Sequence, residues 1–146
     1  LVDFSEYMSK PIGTMRRTVL PPGHYFGRVA KVEPKESSTK KPMLAVQFKL
    51  DSAGEDVPAD QLPEQGIQGK TLSVNYMLDT DFGQDDIRKM IEAIVPNVDP
   101  AQPWGQYLPQ LDGQPVKLYV EQRKRDKDDP NSEMTEDVRK VLSATS

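Results

Sequence analysis

Two clusters of cations stand against an acidic background. Residues 28–41 hold Arg28, Lys31, Lys35, Lys40 and Lys41 against Glu33 and Glu36. Residues 117–127 hold Lys117, Arg123, Lys124, Arg125 and Lys127 against Glu121 and Asp126. Each cluster has a local excess of three positive charges, whereas the 146-residue chain carries a formal net charge of −4. Local fields, not the total, decide what a face attracts. Guanidinium and ammonium groups pair with phosphates, and flat side chains give bases a surface to stack on, worth about 1–3 kcal/mol per base. In VKLYVEQRKRDKDD, Tyr119 alternates with Leu118 and Val120, so it shares an outward face with Lys117. In HYFGRVAK, Tyr25 and Phe26 cannot both point inward, so one of them is a second platform, and we assign Tyr25. The candidate set for a polyanionic single strand is therefore Tyr25, Arg28, Lys31, Lys35, Lys40, Lys41, Lys117, Tyr119, Arg123, Lys124, Arg125 and Lys127. The competing reading is a solvated hairpin tip, because Asp126, Asp128 and Asp129 dilute the second cluster.

Catalytic chemistry finds less support. GIQGKT at 66–71 resembles part of a phosphate-binding loop, but the first glycine of that pattern would fall at Glu64, and a strand follows where a helix is required. In DTDFGQDD, Asp79 and Asp81 are spaced like the start of a calcium loop. The third ligand position is Gly83, however, and the twelfth is Met90. Carboxylates there suit a helix N-terminus for dipole reasons alone. His24 is the single histidine and has no glycine-flanked serine to accompany it. With no cysteine, thiolate nucleophiles, thiolate zinc sites and disulfides are excluded. The expectation is a non-enzyme without catalytic residues, metal or cofactor.

The elements that must carry these residues are short. Thirteen prolines argue for strands joined by loops over a helical bundle. Apolar residues are 36% and arrive in ordered bursts, as in one folded domain. No apolar run approaches the roughly 18 residues of a membrane span, and no signal peptide is visible. Residues 1–19 scatter Phe4, Tyr7, Met8, Ile12 and Met15 without a period, which predicts an extended arm ahead of a domain over 20–146. LPPG at 20–23 turns into a first strand over His24–Glu33, and a polar loop leads to a second over Met43–Asp51. Residues 52–69 form a long, acidic, Pro- and Gly-rich connection, expected to be partly mobile.

A third strand, KTLSVNYML, precedes a helix capped by Asp85 or Asp86, with Ile87, Met90, Ile91 and Ile94 on one face and Pro96 as its stop. Trp104 and Tyr107 read as a core plug. PVKLYVEQR is the fourth strand, and EDVRKVLSA returns beside it as the fifth. Leu44, Val46, Phe48, Leu72, Val74, Ile87, Ile91, Leu118 and Val120 should share one core.

A helix between the third and fourth of five strands is the layout of the OB-fold, a partly open Greek-key barrel, so the expected class is mainly β with that architecture. A small β-sandwich with one helix is the alternative. The OB ligand face is flanked by the loops after strands 1 and 4, where this chain puts its cations. The segments LPPGHYFGRVAKVEPKES, PMLAVQFKL, DDIRKMIEAIVPNVDP and LDGQPVKLYVEQRKRD resemble a family of short phage-encoded OB-fold proteins, over roughly residues 20–142. That resemblance implies a non-sequence-specific single-stranded DNA-binding protein of replication or recombination, in the host cytoplasm, with single-stranded DNA as partner. The connection at 52–69 is longer and more acidic than the family pattern, and the chain ends in VRKVLSATS without an acidic tail. The alternative expectation is a virion structural protein that contacts its neighbours, or a second copy of itself, through residues 1–19. No membrane association is expected in either case.

Overall fold

The computed structural model of the chain describes residues 2–9, 11–12, 19–63 and 66–145. Met15 and Glu64, which entered the sequence reading, lie outside these. Five strands form one open antiparallel sheet: β1 (Gly23–Glu36), β2 (Pro42–Ala53), β3 (Thr71–Met77), β4 (Pro115–Lys124) and β5 (Met134–Ser143), in the order β3-β2-β1-β4-β5. Three α-helices accompany them among the described residues: α1 (Phe4–Met8), α2 (Asp81–Ile94), between β3 and β4 in the chain, and α3 (Leu108–Leu111).

Alternation makes the core. Leu44, Val46, Phe48 and Leu50 of β2 are fully buried, as are Val116, Leu118 and Val120 of β4, while Gln47 and Lys49 between the former are exposed. β1 contributes Tyr25 and Val29, and all nine expected core residues join one cluster, Val74 at its partly buried margin. The register of β1 against β2 shifts between Phe26 and Gly27 and again between Val29 and Lys31. Such irregularities bend a strand. Gly27 permits the first of them: a Cβ there would overlap the Lys49 carbonyl oxygen and lie 3.1 Å from Leu50 Cα. The sheet curls, its edge strands β3 and β5 approach, and α2 touches both.

The N-cap of helix α2 lies five or six residues before the expected Asp85 or Asp86. Thr80 is the N-cap, its Oγ1 accepting from the Gly83 N–H at 3.0 Å. Asp85 and Asp86 therefore lie inside the helix. Asp85 instead receives Arg88 at 2.6 Å and Lys89 at 3.1 Å, and those hydrogen bonds hold its carboxyl below the usual carboxylate range. Ile87, Met90 and Ile91 are buried, and the helix ends ahead of Pro96.

The connection at 52–69 is docked through its apolar residues: Val57 and Ile67 are buried in the core and Leu62 packs against it. Tyr107 is buried, its hydroxyl accepting from the Asp99 N–H at 2.8 Å, but Trp104 is 43% exposed, so the plug is Tyr107 and not the pair. In the expected arm, Phe4–Met8 form one short helix, and Phe4, Tyr7, Met8 and Ile12 are exposed. The entry to β1 is tied to the far end of β4 and β5. The side chain of Glu136, only 2% exposed, accepts from the Leu20 N–H at 3.1 Å and lies 3.4 Å from Lys70 Nζ. Gln122 Nε2 donates to the Leu20 carbonyl at 2.9 Å.

Candidate nucleic-acid interface

The outward face is built by pairing across β1 and β4. His24 lies opposite Tyr119, Phe26 opposite Lys117, and Arg28 opposite Pro115. Residues opposite one another in an antiparallel pair project from the same side of the sheet. The His24 and Tyr119 rings stand 4.9 Å apart between centroids, tilted by 44°. Lys117 Nζ sits 5.8 Å from the centroid of the Phe26 ring, within reach of a cation–π attraction. Neighbouring strands widen the patch: Lys140 of β5 is opposite Tyr119, and Lys49 of β2 is opposite Arg28. The arrangement offers flat surfaces interleaved with cations.

Tyr25 does not belong to it. It is fully buried, lies opposite Leu118, and donates its hydroxyl to the Pro21 carbonyl at 2.6 Å. Burial, with Glu136 and Asp56 adding negative charge nearby, pushes its phenol up to about 12. The outward ring is Phe26. A Tyr–Phe dipeptide gives no parity of its own; Leu118 across the ladder and the Pro21 carbonyl decide it. His24, Phe26, Lys49 and Lys140 are the members absent from the sequence-derived set.

The two cationic loops are not brought together. Gly23 lies opposite Val120, so the β4–β5 tip sits near the start of β1, whereas the β1–β2 tip lies beyond Glu36 at its other end. The ring-bearing face lies along β1 between them. In the first tip, the Lys41 N–H donates to Ser37 Oγ at 3.1 Å, and Lys40 takes a positive φ of 62°. Lys35, Lys40 and Lys41 are exposed. In the second, Arg123, Lys124, Arg125 and Lys127 are exposed. The acids that dilute this tip in sequence serve partly as turn acceptors: Asp126 accepts from the Asp128 N–H at 3.1 Å, and Asp129 from the Asn131 N–H at 2.9 Å. Exposed ion pairs involve Arg28 with Asp51 at 3.7 Å, Lys31 with Glu33 at 3.3 Å and Arg123 with Asp137 at 3.8 Å. Pairs of this kind contribute little and yield readily to a phosphate.

His24 also carries a clasp. Its Nδ1 is 2.8 Å from Asp56 Oδ2, and its backbone N–H donates to both carboxylate oxygens at 3.1 and 3.2 Å. These hydrogen bonds, the backbone one first, hold the Asp56 carboxyl below its ordinary value. A lowered folded-state value stabilises the fold above the ordinary carboxylate range, and that contribution is lost as pH falls from that range through the lowered folded-state value. Asp56→Asn should therefore be less stable than the parent at about pH 5, and the gap should shrink by about pH 3. Urea midpoints at the two pH values check this; an equal gap at both would remove the clasp from the stability of the fold. Among the described residues, no three histidine, aspartate or glutamate side chains group as metal ligands. No described helix is long and apolar enough to cross a membrane. Compared with known proteins, the chain matches no family model and no curated protein.

Proposed function

We propose that the chain is a non-enzymatic, non-sequence-specific single-stranded DNA-binding protein of a phage replication or recombination module, working in the host cytoplasm on an OB-like Greek-key barrel. The strand order, with a helix between the third and fourth strands, supports the barrel. The observation that carries the function is the outward face of β1 and β4. There Phe26, His24 and Tyr119 alternate with Lys117 and Arg28, and an exposed cationic tip lies toward each end. The rings would stack on bases while the tips neutralise phosphates, a division of labour indifferent to sequence.

Fluorescence anisotropy of a labelled oligodeoxythymidylate across a salt series tests it. Binding should weaken with salt by about 0.7 log units per log unit for each phosphate paired. Arg123→Ala with Arg125→Ala should flatten that slope and lower affinity alike for all base compositions. Phe26→Ala or Tyr119→Ala should lower affinity with the slope unchanged, because stacking releases no counterions. Absence of salt-sensitive binding at low ionic strength would sink the reading.

One observation favours a second reading, a virion structural protein: Phe4, Tyr7, Met8 and Ile12 are exposed on one short segment, Ile12 at 88%. Self-association that disappears when residues 1–19 are deleted, in a protein that ignores oligonucleotides, would put this reading first.

A further inference from the structure

On the far side of β5 from the ring-bearing face, the unpaired edges of the sheet leave a polar cleft of about 390 Å³. Its lining includes Thr71 and Ser73 of β3, Thr135 of β5, and Arg123 and Arg125. The one carboxylate lining it, Glu136, is turned inward to Leu20 and Lys70 and is almost wholly buried. Arg123 holds only the 3.8 Å contact with Asp137, which Arg139 shares at 3.3 Å. Arg125 makes no ion pair among the described residues, and its backbone N–H is fixed to the Glu133 carbonyl at 3.0 Å.

Arg123 near the end of β4 and Arg125 just past it are two residues apart, so their side chains start from Cα atoms at most roughly 7 Å apart. They can close on a group with several acceptor oxygens, and the hydroxyls of Thr71 and Ser73 offer further donors from the facing edge. A tetrahedral oxyanion suits this fork better than a planar carboxylate, which a single arginine can satisfy. We propose that this cleft is a phosphate-binding site and that the phosphate is a backbone phosphodiester of the bound strand. That source rests on the function proposed above; the site does not. The strand would then run from the ring-bearing face across β5 and be gripped where β3 and β5 part.

The test follows the side-chain Nε–H resonances of Arg123 and Arg125 in the ¹⁵N-labelled full chain, titrated separately with inorganic phosphate and with oligodeoxythymidylate. Both titrants should shift both resonances saturably. Thr71→Val with Ser73→Ala, which removes two hydroxyls and changes no charge, should weaken both ligands about tenfold while leaving the salt slope of oligonucleotide binding intact. Saturation by phosphate with the resonances unmoved by an oligonucleotide that still binds would keep the site and overturn the single strand as its source, and saturation by phosphate with no oligonucleotide binding at all would overturn the function proposed above as well. Oligonucleotide binding with unmoved resonances and an indifferent double variant would overturn the cleft and leave the function standing. Resonances unmoved by both titrants, with no binding of the oligonucleotide, would overturn both.

Discussion

Replacing Phe48 with alanine is expected to lower the unfolding free energy by about 3–5 kcal/mol. Phe48 is fully buried on β2, with Val29 of β1 opposite on one side and Leu72 of β3 on the other. Removing its ring therefore opens a void between three strands, and the register of each ladder limits how far the neighbours can close it. Domains of this size have about 5–15 kcal/mol of stability in all, so the variant should sit near its unfolding limit. In urea the midpoint should fall sharply with the slope unchanged. Phe82→Ala is the control: that ring is 87% exposed, and its loss should stay within about 0.5 kcal/mol. Similar costs at both positions would mean that the core is not organised around β2.

Gly83→Ala should lower stability by about 2 kcal/mol, against the direction that helix propensity dictates. Alanine ordinarily gains about 1 kcal/mol over glycine inside a helix. Here a Cβ would overlap the Met77 carbonyl oxygen and lie 2.8 Å from the carbonyl carbon, so the first turn of α2 would have to lift off the end of β3. Overpacking of a core costs about 1–3 kcal/mol, and more when the opposed atoms are backbone with no rotamer to yield. Gly105→Ala supplies the contrast. Nothing lies within 4 Å of a Cβ at that position, so the change should be neutral or gain about 0.5 kcal/mol by restricting the unfolded chain. Chemical denaturation of the two variants beside the parent checks the opposite signs. A stabilised Gly83→Ala would show that α2 is free to shift.

Much of the fold is legible in segments of eight to twelve residues. Alternation in MLAVQFKL and PVKLYV predicts β2 and β4 with the correct residues inward, and the i, i+3, i+4 spacing of Ile87, Met90 and Ile91 predicts the buried face of α2. These are properties of a segment alone, because backbone period and side-chain direction are local. The start of α2 departs from the expectation for a local reason as well: Thr80 and Asp85 are both good caps, and only the reach of Thr80 Oγ1 to the Gly83 N–H selects the former. Trp104 and Tyr107 look alike among prolines, yet only Tyr107 finds a polar partner, Asp99, for a buried hydroxyl.

By itself the sequence determined the strands, the long helix, most of the core, and the two cationic tips that frame the candidate interface. Tertiary structure decided the rest. Tyr25 turned inward and Phe26 outward because β4, some ninety residues later, sets Leu118 and Lys117 against them. Val57 and Ile67, in a stretch whose composition reads as loop, were buried because the curled sheet leaves an apolar surface for them to cover. The clasp of Asp56 on His24 and the meeting of Thr71 and Ser73 with Arg123 and Arg125 likewise join residues about thirty and fifty apart in the chain. Pairings at such separations depend on how the whole sheet bends, and no local period encodes that.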